Sequence, residues 1–93
     1  MSTRQQVIDQ IEALVKDLQD WAIQRFEFDV RLRPYRMLLL RHASTLQSER
    51  VIKMFFCKLN KCADRAMFLN ADRQIMADEF RKLRCDPEME ESK

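Results

Sequence analysis

The residues best equipped for chemistry are three cysteines, Cys57, Cys62 and Cys85, and the single histidine, His42. Thiolates and an imidazole are the donors of a four-ligand zinc site, and a cysteine beside a histidine is the start of a nucleophilic centre. The spacing opposes both readings. On a straight helix Cys62 faces the apolar seam while Cys57 and Cys85 point outward, so the thiolates aim apart. An odd number of cysteines inside helical patterns also argues against a disulfide framework, and free thiols are expected. His42 would have to be the general base of any histidine-dependent reaction, and its neighbours Ser44 and Ser48 are better explained as helix caps. The carboxylate pairs Asp17 with Asp20 and Asp78 with Glu79 fall on solvated faces, where charge is ordinary. Glycine is absent from all 93 residues, which removes the loops that cradle phosphates in nucleotide-binding enzymes. No catalytic residue, cofactor or metal ligand is expected, and the chain is read as a non-enzyme.

Charge is the next chemical signal, because its distribution is uneven. Residues 31–65 hold nine cations against two acids, a surplus of seven, so the net charge of +2 leaves an acidic excess of five elsewhere. Arg31, Arg33, Arg36, Arg41, Arg50 and Lys53 are therefore candidate anion-binding residues, able to attract phosphates, acidic protein or an anionic lipid surface. No recognised nucleic-acid-reading motif accompanies them.

Hydrophobic periodicity names the elements that must position these groups. Ser2 and Thr3 each have a glutamine three residues on, Gln5 and Gln6, which makes two overlapping capping boxes. From there Val7, Ile11, Leu14, Leu18, Trp21, Arg25, Phe28 and Leu32 keep an alternation of four and three, which predicts an amphipathic helix over 3–32. Pro34 is expected to end or kink it. A short second helix over 35–46 is apolar nearly all round, with Tyr35, Met37, Leu38, Leu39, Leu40 and Ala43. Ser44, Thr45 and Ser48 are candidate caps after it. The third segment, 48–84, holds the same alternation through Ile52, Phe55, Leu59, Cys62, Ala66, Leu69, Arg73, Met76, Phe80 and Leu83. It is either one helix or two jointed near Asn70. The expected fold is all-α, an elongated helical hairpin or three-helix bundle with heptad-patterned long helices, forming one domain over 1–85. The polar tail 86–93 is expected to be disordered.

The two long segments carry more apolar residues than one seam needs. Met54, Phe68 and Ile75 fall opposite the main seam of the third segment, and Ile23, Phe26 and Val30 make a second stripe near the end of the first. Either the second helix covers both stripes, or apolar surface remains for another chain. These six residues are the candidate partner-binding set. Six such side chains left bare would forgo roughly 9 to 18 kcal/mol at about 1.5 to 3 kcal/mol each, comparable to a domain's whole stability. The expected function is a protein-interaction or assembly subunit, dimeric or higher or one member of a hetero-complex, with binding of nucleic acid or an anionic surface through 31–65 as the alternative. No apolar run approaches the length of a membrane span, and no secretory leader is visible. An intracellular protein, cytoplasmic or nuclear, is expected.

One short segment has a known likeness. Pro34-Tyr35-Arg36-Met37-Leu38-Leu39-Leu40-Arg41 resembles the Leu-Tyr-Arg signature of small mitochondrial three-helix adaptor proteins, a family that implies an acyl-carrier partner. Proline stands where that signature has its leading leucine, the closing arginine comes one position late, and the segment lies in the second helix rather than near the N-terminus. The family's function is not carried over to this chain.

Overall fold

A computed structural model describes residues 3–64 and 70–85, and in them the chain forms four helices. These are α1 (Arg4–Gln19), α2 (Arg25–Arg41), α3 (Leu46–Asp64) and α4 (Asn70–Arg84). The all-α expectation holds, whereas the elongated hairpin and the three-helix bundle are corrected: the molecule measures 35 × 25 × 18 Å. A helix of 30 residues would be about 45 Å long, and helices of 15 to 19 residues fit the observed length instead.

The expected helix 3–32 breaks at residues 20–24. Its N-terminus follows the sequence: Thr3 caps, with the Gln6 amide donating to Thr3 Oγ1 at 3.1 Å and the Thr3 amide donating to Gln6 Oε1 at 2.9 Å. The C-terminus of α1 does not. Trp21 N–H bonds to Leu18 O at 3.2 Å and Ala22 N–H to Asp17 O at 2.8 Å, the paired bonds of a Schellman cap. That cap needs a left-handed residue, ordinarily glycine, and here Trp21 takes it at φ 61°. A side chain bearing a Cβ pays for that region with roughly 1 kcal/mol of strain, so a sequence without glycine gave no sign of the break. Trp21, expected in the seam, is 73% exposed.

Pro34, expected to end or kink a helix, does not end one and lies inside α2. Its missing N–H costs about 3 kcal/mol in a helix interior. Phe28, Leu32 and Leu39 are buried on both sides of it, with Tyr35 packed against the same core. At about 1.5 to 3 kcal/mol per side chain, that continuous face outweighs the proline. Residues 35–41 of the predicted helix 35–46 are thus the second half of α2, while 42–45 link it to α3.

Thr45 starts α3: its hydroxyl accepts from Ser48 N–H at 3.1 Å and its carbonyl from Glu49 N–H at 3.1 Å. Of the two readings of segment 48–84, the structure takes the jointed one, with α4 beginning at Asn70. Asp72, in the first turn of α4, is fully buried where the helix's N-terminal dipole favours a negative charge. Seam positions Ala66 and Leu69, the stripe residue Phe68 and the tail 86–93 lie outside the described residues.

Consecutive helices pack on one another and α1 closes the ring on α4. Arg25 reaches Asp64 at 3.0 Å and Arg36 lies over Phe56, so α2 and α3 are antiparallel. Lys58 meets Glu79 and Phe55 meets Phe80, so α3 and α4 are too. Arg4 Nη2 donates to Arg84 O at 3.0 Å, bringing the start of α1 to the end of α4. The result is an up-down-up-down four-helix arrangement. Its core gathers the seam residues: Val7, Ile11 and Leu14 from α1, Phe28 and Leu32 from α2, Ile52, Phe55, Leu59 and Cys62 from α3, and Met76, Phe80 and Leu83 from α4. Phe55 stands edge-on to both Phe56 and Phe80, with ring centroids 5.2 and 4.9 Å apart.

Candidate interaction surface

The outer face of α2 carries the most exposed apolar side chains of any helix face among the described residues. Phe26 is 78% exposed, Val30 47% and Met37 60%. With Arg33, also exposed, they fall four, three and four residues apart. On a helix that spacing is a stripe one side chain wide, about 16 Å long, lying opposite the buried line Phe28, Leu32, Tyr35 and Leu39. Apolar residues all round α2 give it two faces where the other helices have one.

Cations flank the stripe on its α3 side. The register set by Arg25–Asp64 and Arg36–Phe56 puts Lys53 level with Met37 and Arg50 level with Arg41. Arg33, Arg41, Arg50, Lys53 and Lys61 are exposed and form no ion pair with the described residues. Arg36 lies with its guanidinium 5.9 Å from the Phe56 ring centre, and only Arg31 of the six candidate anion-binding residues has an acid partner, Glu27. A cleft of about 230 Å³ opens between α2 and α3, lined by Asp29, Leu32, Arg33, Arg36, Phe56 and Asn60.

Of the six candidate partner-binding residues, the five that are described do not form one patch, and Phe68 lies outside the described residues. Phe26 and Val30 share the α2 stripe, while Ile23 is partly buried against the core. Met54 is exposed on α3 and Ile75 on α4. Each lies one turn before a member of the Lys58–Glu79 pair, on antiparallel helices, so they are separated by about two turns, roughly 11 Å, with that pair between them. The stripe read as continuous along one helix is divided because α3 and α4 are separate. Met37 was missed as a member of the α2 stripe: placing a boundary at Pro34 assigned it to a different helix.

Other groups with chemical potential lie apart. Cys57 and Cys85 are exposed and Cys62 is buried, all three as free thiols. His42 is half-buried at the C-terminus of α2, its N–H bonded to Leu39 O. Among the described residues no three metal-ligating side chains gather, and no helix is long and apolar enough to cross a membrane. A groove of about 360 Å³ between α1 and α4 has Val15, Met76 and Phe80 among its walls and Glu12, Lys16, Asp20 and Arg73 at its rim. It contains neither a histidine nor a cysteine.

No family model, curated protein or solved structure matches this chain. The segment that resembles the Leu-Tyr-Arg signature, Pro34 to Arg41, lies within α2 of a four-helix arrangement.

Proposed function

We propose that the protein is a non-enzymatic interaction or assembly subunit whose α2 outer face engages another protein chain, by self-association or by binding a partner helix. The observation that supports this is the exposed stripe of Phe26, Val30 and Met37 on an element whose opposite face already fills the core. Exposed side chains of this size, aligned at helical spacing, are the usual anchors of a helix–helix contact. Sedimentation of the purified protein at micromolar concentration tests self-association, and co-sedimentation with added partner tests the alternative form. Phe26→Asp should dissolve the complex and leave a folded helical protein. Association unaffected by Phe26→Asp rejects this face.

A second reading is favoured by a different observation, the five exposed cations on α2 and α3 that have no acid partner among the described residues. They suit an anionic surface or nucleic acid. A mobility-shift assay across a salt series separates the two, because counterion release makes phosphate binding fall steeply with salt, whereas an apolar contact weakens little.

A further inference from the structure

Taking α2's outer face as an interaction surface, we infer that its occupant is an acidic amphipathic helix from a different protein, with a carboxylate set opposite Arg33. Three observations converge on this. Phe26, Val30, Arg33 and Met37 keep the four-three-four spacing within an arc of about 60°, given 3.6 residues per turn. A seam that narrow is the contact line of one helix with another, whereas a helix lying on a lipid surface needs an apolar face of about 100° or more. One of the seam's four layers is a cation, and a charged residue at a seam position selects a partner that can neutralise it.

The flank decides the sign of that partner. Arg33, Arg41, Arg50, Lys53 and Lys61 have no acid of their own among the described residues. A second copy presenting the same face supplies none, since Glu27 and Asp29 are already bonded to Arg31 and Arg25. Pairing two such faces antiparallel would set Arg33 against Val30 and place both arginines in one seam with no acid between them, which is costly across a desolvated contact. Helix α1 of another copy is acidic but has no apolar seam to offer: Asp9, Gln10, Glu12, Ala13 and Lys16 are its exposed residues on that side. Among the described residues, then, no helix of a second copy joins an acidic face to an apolar seam, and the occupant we infer is a helix of a different chain.

The test uses the full-length protein and a synthetic helical peptide of about 21 residues, three heptads, with leucine at the seam, glutamate in the layer facing Arg33 and glutamates flanking. A control peptide carries lysine at every glutamate. Fluorescence anisotropy at physiological salt should show the acidic peptide binding about tenfold or more tightly than the control, as two or three exposed charge pairs allow. Amide shifts should map to 26–41 and 50–61, and Arg33→Glu should abolish the preference for the acidic peptide. Equal binding of both peptides, binding of neither, or shifts confined to α1 and α4 overturns the inference. So does tighter binding to phosphatidylserine vesicles or to duplex DNA than to the acidic peptide. A dimer dissolved by Phe26→Asp, with no peptide preference, leaves the interaction surface standing and overturns the acidic partner alone; if Phe26→Asp alters no association of any kind, both fall.

Discussion

The two sides of this bundle treat charge in opposite ways. Where α4 packs on α1 and on α3, charges are satisfied within the molecule. Arg84 bridges to Asp9 at 2.8 Å and Glu12 at 3.4 Å and donates to Gln5 Oε1 at 2.9 Å, and Glu79 receives both Lys58 and Lys82 at 3.3 Å. On the outer side of α2 and α3, Arg33, Arg41, Arg50, Lys53 and Lys61 have no acid partner among the described residues and stand beside bare apolar side chains. Both surfaces belong to one chain of net charge +2, so the contrast is one of placement and not of composition. A surface completed within the molecule gains stability from its charges, while one left incomplete has its pairing still to make.

Substitutions on the two sides should therefore separate cleanly. The deepest loss is expected on the inner face of α2: Phe28→Ala or Leu39→Ala should cost about 3 to 5 kcal/mol in denaturant unfolding, because each is fully buried and leaves a cavity. On the outer face of the same helix, Pro34→Ala should raise stability by about 2 to 3 kcal/mol by restoring an amide donor to an exposed interior position. A loss there would mean that α2 relies on a kink at Pro34. On the paired side, Arg84→Ala should cost about 1 kcal/mol, with several partners lost together from a half-exposed site. Arg50→Gln on the unpaired side should lie within about 0.5 kcal/mol of the wild type, and a destabilisation as large as that of Arg84→Ala would erase the distinction between the two surfaces. Phe26→Ser should show the same small effect on stability, while weakening association.

Most of the core was legible from periodicity alone. Val7, Ile11 and Leu14, and Ile52, Phe55, Leu59 and Cys62, are buried as their spacing predicts. The pattern carried no information on where the helices stop. The alternation of four and three passes through residues 20–24 in phase, because Leu18 and Phe28 both reach the core across the Trp21 turn. Glycine usually marks such a turn, and this chain uses a strained tryptophan instead. Pro34 misled in the other direction, since local propensity was outweighed by burial that only the tertiary packing reveals. The candidate surface was half legible: Phe26, Val30 and the cations were recognisable as surplus, but their union with Met37 depends on α2 running unbroken from Arg25 to Arg41.

Trp21 is the chain's one tryptophan, and in the folded protein it already faces water at the turn that leads into α2. Its indole emission should accordingly sit near the wavelength of a fully hydrated ring before any denaturant is added and move little as the bundle melts. Intrinsic fluorescence would then report almost no unfolding transition in a protein that is losing all its helix, and far-ultraviolet circular dichroism has to follow the melt instead. The same silence makes the ring useful elsewhere. Trp21 lies five residues before Phe26, so a chain laid along α2 and extending past its first turn would take the indole out of water and shift its emission to the blue. An optical signal blind to folding would in that way become a label-free reporter of docking.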